Sequence, residues 1–333
     1  TLAMLDGALK ELRVGNPARF ATDVGPLITA EARDAIRTYV ETMRGKGFSV
    51  REAVLAEECR HGTFLPPTVI EIDGVASLGR EVFGPVLHVV RYARQDRAAV
   101  IAAINATGYG LTFGLHTRID ETIAEVTGAV EAGNLYINRN LIGAVVGVQP
   151  FGGQGLSGTG PKAGGPLYLR RLLSACPAVD AGSEAAPDGA VLDWIGHLDR
   201  AGETAAASRC RALALRAPSG RQMLPGPVGE ENVYALHPRG TVLCVPLTPL
   251  GLAVQVGAAL ATGNDVAVRA SADMTLLARL PDALARHVRQ VRGEGTDFPF
   301  QAVLFEGDGD GLLALDTALA HREGPLVAVH GLS

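Results

Sequence analysis

The stretch TVLCVPLTPLGLAVQVGAALATGNDVAVR, residues 241–269, carries the strongest fold signal in the sequence. It divides into a short apolar strand at Thr241–Val245, a buried helix over about Leu252–Thr262 and a second strand at Val266–Arg269. A strand, a helix and a strand in this order form a βαβ unit. The stretch therefore predicts an α/β domain with parallel strands.

Two features limit what this βαβ unit implies. Residues 241–263 carry no charge and are long enough to cross a bilayer, but Pro246, Pro249 and Gln255 interrupt them. We therefore interpret the run as separate buried elements and not as a membrane span. The unit has Rossmann character but lacks a GxGxxG fingerprint, so its spacing alone does not predict dinucleotide binding.

Outward from this unit, the sequence divides into three predicted parts. Residues 193–333 form a Rossmann-like domain, residues 178–192 have the small polar side chains of a linker, and residues 1–177 form a further domain. Helices and strands alternate in residues 1–177, which predicts an α/β fold there as well. The predicted helices span about 1–13, 30–43, 97–106 and 120–131, and the predicted strands span about 68–72, 86–92, 111–116 and 135–138.

The overall composition excludes several classes of protein. The 333 residues are 47% apolar and 20% charged, as in globular domains. Thirty basic residues against 35 acidic ones give a net charge of −5, which offers no general attraction to phosphate backbones. Aromatic residues make up only 5%, so stacking on single-stranded bases is a poor hypothesis. We therefore expect no nucleic-acid partner for this segment.

The four cysteines give no sign of a metal site or a disulfide framework. Cys59, Cys176, Cys210 and Cys244 form no CxxC pair, and none stands near a histidine at a zinc-like spacing. We expect them to be buried and reduced, as in a cytoplasmic protein. The first stretch of the sequence is predicted to be an amphipathic helix and not a signal peptide.

A tight turn at Arg80–Val86 (REVFGPV) is the first candidate binding feature. Glu81 precedes Phe83 by two residues, and a Gly-Pro pair then leads into a strand. A carboxylate suits ribose hydroxyls, which donate hydrogen bonds, and an aromatic ring suits one face of a nicotinamide. The alternative is a solvated glutamate beside a core phenylalanine, and the residues alone leave both open.

The second candidate is the glycine-rich stretch GAVVGVQPFGGQGLSGTGPKAGG, residues 143–165. This density of glycine predicts a long loop without helix or regular strand, held by tertiary contacts. Backbone N–H groups at Gly143 and Ala144 could bind a carboxylate, and Phe151 would add an apolar wall. The alternative is a structural crossover that needs glycine for close packing.

Four motifs in this order resemble the C-terminal half of an aldehyde dehydrogenase. They are REVFGPV at 80–86, GYGLTFGLHT at 108–117, GNLYINRN at 133–140 and VQPFGGQGLSGTG at 148–160, and the resemblance spans about residues 1–175. NRNLIGAVVGVQPFGG followed by SGTGPKAGGPLYLRRLL is most similar to the L-glutamate-γ-semialdehyde dehydrogenase module of the bifunctional proline utilization A family. The implied architecture is the C-terminal half of the catalytic domain followed by a Rossmann-like α/β domain.

The resemblance implies a role for each candidate residue. Glu81 holds the NAD ribose, Phe83 packs near the nicotinamide, and Gly143, Ala144 and Phe151 anchor the carboxylate of glutamate semialdehyde. The family's nucleophilic cysteine precedes the helix with which this chain begins, so we expect it upstream of Thr1 and expect the 333-residue chain alone to be inactive. FAD belongs to the proline dehydrogenase part of such enzymes, and a homo-oligomer is expected.

Residues 193–333 resemble the extra C-terminal domain of the longer family members. LPGPVGEENVYALHPRGTVLCVP and ALATGNDVAVRAS carry this likeness. Pro246-Leu247-Thr248-Pro249 stands where a working dehydrogenase has Pro-Trp-Asn, and Arg269-Ala270 replaces Lys-Pro. We therefore expect this domain to bind no NAD and to act as a lid, with the apolar stretch Gly324–Val329 as its docking tail. A non-catalytic binding or assembly module remains the alternative for the whole chain.

Overall fold

The computed structural model describes residues 1–173, 189–217, 220–270, 274–293 and 298–332. The chain forms two compact units, Thr1–Thr107 and Gly108–Ser333. The α/β prediction is confirmed in both units, and each is described by itself.

The first unit combines a small mixed sheet with three helices. Its elements are α1 (Leu2–Glu11), α2 (Ala30–Gly45), β1 (Ser49–Glu52), β2 (Thr68–Ile72), β3 (Val86–Val90) and α3 (Arg97–Asn105). The strand order is β1-β2-β3, with β1 antiparallel and β3 parallel to β2. The predicted strand over 68–72 is confirmed with its bounds, and β3 is two residues shorter than predicted.

Helix α2 covers one face of this sheet because its apolar residues repeat at helical spacing. Ile36, Val40 and Met43 are buried, and they pack with Ile70 of β2 in one core cluster. The helix begins where the Thr29 side chain accepts a hydrogen bond from the N–H of Ala32. This packing fixes the frame from which the turn before β3 projects.

The second unit begins with short strands around the glycine-rich loop. The strands are β4 (Tyr109–Gly110), β5 (Thr112–Leu115), β6 (Asn134–Ile137) and β7 (Gln154–Gly155), and helix α4 (Asp120–Ala129) lies between β5 and β6. β5 pairs in parallel with β6, and β4 pairs antiparallel with β7. The prediction that residues 143–165 contain no strand is therefore wrong at β7, because this short segment completes its hydrogen bonds on β4.

The rest of the second unit contains a separate antiparallel strand pair and a doubly wound α/β sheet. Its described elements are α5 (Gly189–Arg200), α6 (Thr204–Arg216), β8 (Arg221–Leu224), β9 (Asn232–Ala235), β10 (Thr241–Val245), α7 (Pro249–Ala261), β11 (Asp265–Arg269), α8 (Asp282–Ala285), β12 (Val288–Val291), β13 (Ala302–Glu306), α9 (Gly309–Ala320) and β14 (Ala328–Leu332). Among the described residues, five parallel strands run in the order β12-β11-β10-β13-β14. This is the Rossmann order, and the direction in which successive strands are added to the sheet reverses between β10 and β13.

The core of this sheet explains where the predicted linker ends. Val191, Trp194 and Cys210 are fully buried against α7, and the Trp194 indole N–H donates to the Ala253 carbonyl at 3.0 Å. Residues 189–192 were predicted as linker, but they form the first turn of α5 because Val191 belongs to this core. Residues 178–188 lie outside the described part of the chain.

The apolar stretch near the C-terminus also takes a position that differs from its predicted one. Residues Ala328–Leu332 form β14, which pairs in parallel with β13 at the edge of its own sheet. Only Ala328 and Val329 of the predicted docking tail Gly324–Val329 join this strand, and their partner strand lies within the same domain. In the described parts of the chain, no helix is both long and apolar enough to cross a membrane.

Candidate functional site

The turn before β3 presents two side chains on one side of an extended segment. Glu81 is exposed and Phe83 has 87% of its surface exposed, whereas Val82 between them packs against the core of the first unit. Successive side chains of an extended chain point to opposite sides, so an inward Val82 turns its two neighbours outward. A ring this exposed favours a binding surface over the predicted alternative of a core phenylalanine.

Gly84 makes this turn possible by its lack of a side chain. A Cβ at Gly84 would overlap the Cδ1 atom of Ile36 in α2, which is itself buried. The Pro85 carbonyl then accepts from the Thr68 N–H at 2.8 Å, which joins the turn to the first residue of β2. The Phe-Gly-Pro sequence is thus fixed by packing beneath the exposed pair.

The glycine-rich loop of the second unit forms a turn with unpaired backbone donors. The N–H groups of Ile142 and Val145 donate to the side-chain oxygens of Asn140 and Gln149, at 3.1 and 3.0 Å. Between them, the N–H groups of Gly143 and Ala144 have no acceptor within the described residues. We call residues 142–145 the open turn. Gly143 has a φ of 76°, which a residue with a side chain rarely adopts.

Gln149 connects the open turn to the C-terminal part of the same unit. Its Oε1 accepts from Val145, and its Nε2 donates to the Oε2 of Glu230 at 3.0 Å. Glu230 lies between β8 and β9, and its Oε1 accepts from the Arg139 guanidinium at 3.0 Å. Gln149 is 9% exposed and its two hydrogen bonds are partly buried, whereas the bond between Arg139 and Glu230 is exposed.

Asn134 holds the far end of the loop. Its Nδ2 donates to the Pro150 carbonyl at 2.8 Å, and its Oδ1 accepts from the Gly152 N–H at 3.1 Å. Phe151, between them, pairs with Ala163 through two backbone hydrogen bonds and is only partly buried. The Lys162 ammonium donates to the Gly133 carbonyl, and burial lowers its pKa. The loop is therefore held by tertiary contacts, as predicted.

A second turn with backbone donors follows β10, where the strand order of the Rossmann-like sheet reverses. Here the Glu306 carboxylate, at the end of β13, accepts from the N–H groups of Leu247 and Thr248 at 2.8 and 2.9 Å. It also accepts from the Thr248 hydroxyl at 2.7 Å. Ligands of doubly wound sheets usually bind at the carboxyl ends of the strands, at the point where the strand order reverses. We call residues 247–251 the filled turn, because a carboxylate of the protein occupies it.

Three cysteines are described, and all are buried. The Cys59 and Cys210 thiols donate to the carbonyls of Val14 and Ala253, at 3.3 and 3.4 Å. Burial raises the pKa of Cys210 to about 11, and it raises the pKa of Cys244 still further. A thiol with a raised pKa is a poor nucleophile, because the thiolate is the reactive form. Cys176 lies outside the described residues.

The predicted site residues thus fall into two groups. Glu81 and Phe83 share one turn of the first unit, and Gly143, Ala144 and Phe151 share one loop of the second. Gln149, Asn134 and Glu230 were not predicted, although a buried asparagine or glutamine in a glycine-rich loop is a usable signal for a hydrogen-bonded clamp. In the described residues, no cluster of histidine, cysteine and acidic side chains is arranged to hold a metal ion.

Comparison with known proteins identifies the relatives of this chain. The model of the aldehyde dehydrogenase family matches residues 1–175. The bifunctional protein PutA of Rhizobium meliloti is 51% identical over 319 residues, which cover 95% of this chain and 26% of that protein. The PutA protein of Escherichia coli K12 is 47% identical, covering all of this chain and 27% of that protein.

Two further relatives extend the comparison. The 1-pyrroline-5-carboxylate dehydrogenase of Geobacillus kaustophilus is 40% identical over 162 residues, which are 48% of this chain and 31% of that protein. The structure of PutA from Corynebacterium freiburgense matches 99% of this chain and 31% of that one, with 26% identity and a TM-score of 0.69. The chain spans about a quarter of the length of the curated PutA relatives that it matches, 26% and 27% in the two cases above.

Proposed function

Because the chain belongs to the aldehyde dehydrogenase family, we propose that it contributes to the NAD-dependent oxidation of L-glutamate-γ-semialdehyde in a longer bifunctional enzyme that converts proline to glutamate. Relatives named PutA and 1-pyrroline-5-carboxylate dehydrogenase support this substrate. Hydrolysis opens the cyclic imine 1-pyrroline-5-carboxylate to the semialdehyde. We further propose FAD as the cofactor of the proline-oxidising part of the longer enzyme, on the likeness to PutA alone.

The proposed reaction converts an aldehyde and water into a carboxylate. A cysteine thiolate adds to the carbonyl carbon, a hydride leaves that carbon, and water then hydrolyses the resulting thioester. NAD accepts the hydride when it is bound. The raised pKa values of Cys210 and Cys244 support a nucleophile outside these residues. We accordingly expect the activity in the longer enzyme and not in this chain by itself.

The open turn is the observation that carries the proposed substrate. Glutamate semialdehyde has an α-carboxylate at the end opposite its aldehyde, and this group needs hydrogen-bond donors. Gly143 and Ala144 offer two adjacent N–H groups with no acceptor among the described residues. Hydrogen bonds to a charged group contribute about 1.5–3 kcal/mol each. Partly buried Phe151 supplies an apolar wall nearby in the chain.

The turn at Glu81 and Phe83 fits the proposed cofactor. An exposed carboxylate accepts hydrogen bonds from ribose hydroxyls, and an exposed ring covers one face of a nicotinamide. In contrast, we propose that the Rossmann-like sheet of residues 193–333 binds no NAD, since Glu306 fills the turn nearest to the expected phosphate position. A lid role for these residues, a cytoplasmic location and a homo-oligomer are further parts of this proposal.

The experiment measures both half-reactions of the longer enzyme after Glu81→Ala. Loss of a charged acceptor for the ribose should lower kcat/KM for NAD by about tenfold, since about 1.4 kcal/mol corresponds to a factor of ten. Proline oxidation should stay unchanged. Glu11→Ala, which removes another exposed carboxylate of the first unit, is the matched control.

Two results would contradict the proposal. If kcat/KM for NAD is unchanged in Glu81→Ala, Glu81 is a solvated surface residue and does not bind the ribose. No NAD-dependent oxidation of the semialdehyde by the longer parent enzyme would favour a non-catalytic binding or assembly module.

A further inference from the structure

We propose that Glu230 is a positioning residue for the open turn, and that it couples the C-terminal part of the second unit to carboxylate binding. This inference rests on the proposed function of Gly143 and Ala144. In the described part of the chain, no hydrogen bond joins the Glu230 side chain directly to the open turn. Glu230 acts through Gln149, which stands between them and bonds to both.

Glu230 fixes the orientation of the Gln149 side-chain amide. A glutamine side chain has one acceptor oxygen and one donor nitrogen, and an interchange of the two would leave donor facing donor at Val145. The Glu230 carboxylate can only accept, so it requires the nitrogen of Gln149 on its own side. The oxygen is thereby directed at the Val145 N–H, 3.0 Å away. Glu230 thus selects the orientation that the turn needs.

The Glu230 carboxylate is itself held in place by Arg139. Its other oxygen accepts from Arg139 at 3.0 Å, and the Arg139 guanidinium lies 5.1 Å from the ring centre of Tyr136. Tyr136 is 5% exposed in β6, so Arg139 is held against a fixed surface. The side chains of Arg139 and Glu230 are 28% and 32% exposed, so each is partly covered by the protein. The carboxylate is therefore held from two sides.

The open turn presents two backbone N–H groups to a ligand. With Ile142 and Val145 already donating to side chains, an incoming carboxylate meets only the N–H groups of Gly143 and Ala144. If Gln149 loses its orientation, the Val145 N–H is released and the turn is no longer held at that end. The two free N–H groups then adopt several conformations. Binding of a carboxylate has to select one of them, and this ordering weakens the binding free energy.

The test uses the longer enzyme with three substitutions. Glu230→Ala removes both contacts, Glu230→Gln keeps an oxygen that can accept from Gln149, and Glu231→Ala is the matched control. Glu231 is the adjacent exposed glutamate, and within the described residues its side chain has no partner. KM and kcat are measured with glutamate semialdehyde and with propanal, an aldehyde that has no carboxylate. The NAD dissociation constant is measured in parallel.

We expect Glu230→Ala to raise KM for glutamate semialdehyde by about tenfold, the equivalent of one weakened hydrogen bond to a charged group. We expect kcat, the propanal parameters and NAD binding to stay within about twofold of the parent. Glu230→Gln should recover most of the loss, and Glu231→Ala should match the parent. Equal losses with both aldehydes would mean a general structural role, and no loss would mean a surface glutamate. Either result overturns the inference.

Amide hydrogen exchange separates this inference from the proposed function. If Glu230 positions the open turn, peptides covering residues 142–149 should exchange faster in Glu230→Ala than in Glu231→Ala, whatever the substrate is. Faster exchange in an enzyme that does not oxidise the semialdehyde would reject the proposed function and keep the positioning role. Identical exchange in the two variants would reject the positioning role alone.

Discussion

The open turn and the filled turn of the second unit both present neighbouring backbone N–H groups, but they differ in the acceptors of these groups. Each brings neighbouring backbone N–H groups to one place, where they favour a negative charge. In the filled turn, Leu247 and Thr248 donate to the protein's own Glu306. In the open turn, Gly143 and Ala144 have no acceptor among the residues described. The comparison separates a turn that serves the fold from a turn that can serve a ligand.

The difference arises from the side chains that flank each turn. In the open turn, Asn140 and Gln149 take the N–H groups on either side and leave the middle pair free. In the filled turn, a carboxylate arrives from the end of the neighbouring strand β13 and takes both N–H groups and a hydroxyl. Backbone donors alone therefore do not identify a binding site, since their partners decide the outcome.

Ala144→Leu should have the largest effect on this comparison. Ala144 is partly buried, and a larger side chain beside the two free N–H groups would exclude a carboxylate. Loss of both hydrogen bonds would cost about 3 kcal/mol or more, which corresponds to an increase of about a hundredfold in KM for glutamate semialdehyde. The dissociation constant of NAD should change little. Steady-state kinetics and NAD titration of the longer enzyme measure the two effects.

The control for this substitution lies two residues further along the loop. Val146 has 90% of its surface exposed, so Val146→Leu adds bulk to the same loop without crowding the open turn. We expect parent-like kinetics from this variant. Equal weakening of semialdehyde and NAD binding in Ala144→Leu would show a general disturbance of the loop and remove the distinction between the turns.

Asn134→Ala should have the next largest effect, because it releases the loop beyond the open turn. The substitution leaves the Pro150 carbonyl and the Gly152 N–H without their partner, and Asn134 is only 8% exposed. Two unsatisfied groups at this site should lower the free energy of unfolding by about 2–3 kcal/mol. Urea unfolding of the chain measures this loss.

Asn140→Ala provides a matched control for this experiment. Asn140 is exposed and accepts one hydrogen bond, from Ile142. Its removal should lower the free energy of unfolding by less than about 1 kcal/mol. Similar losses from the two substitutions would mean that the clamp at Asn134 does not hold the loop more firmly than an exposed hydrogen bond does.

Local sequence patterns predicted the elements of the fold well, but they did not predict the partners of the two turns. The bounds of Thr68–Ile72 and Thr241–Val245 were predicted correctly, because buried strands of β-branched and apolar residues end at prolines or glycines. Glu81 and Phe83 are exposed, and the N–H groups of Gly143 and Ala144 have no acceptor among the described residues, but the use of these groups in binding stays a prediction. In contrast, no local pattern connects Gln149 with Glu230, which lies 81 residues away.

The same limit applies to the filled turn and to the C-terminal strand. Glu306 meets Thr248 across 58 residues, and only the strand order β10-β13 brings them together. The apolar tail was recognised as a segment that needs a partner, but its sequence does not say which edge it joins. Non-local pairing is a property of the assembled sheet, so residue periodicity cannot supply it.

Glu306→Gln should have the smallest effect of the three, and it tests the filled turn directly. Burial on its own raises the pKa of Glu306, but hydrogen bonds from Thr248 and Leu247 outweigh it, and the pKa lies below the ordinary value of 4.5. A carboxyl with a lowered pKa in the folded state stabilises the fold above its unfolded pKa, and this contribution is lost as the pH falls through the lowered value. At neutral pH the substitution should cost about 1 kcal/mol, since the neutral amide still accepts a hydrogen bond.

Urea unfolding of the parent chain and Glu306→Gln at a series of pH values measures this contribution. The difference between the two should be largest at neutral pH and should shrink toward zero in acid, because a protonated Glu306 resembles the uncharged glutamine. Glu323→Gln is the control, since this exposed glutamate has no side-chain partner within the described residues and should behave as the parent at every pH. A difference that does not depend on pH would mean that the filled turn is held by shape and not by charge. The two turns would then differ in packing. The binding of Glu306 in the filled turn would no longer support the binding of a carboxylate ligand at Gly143 and Ala144.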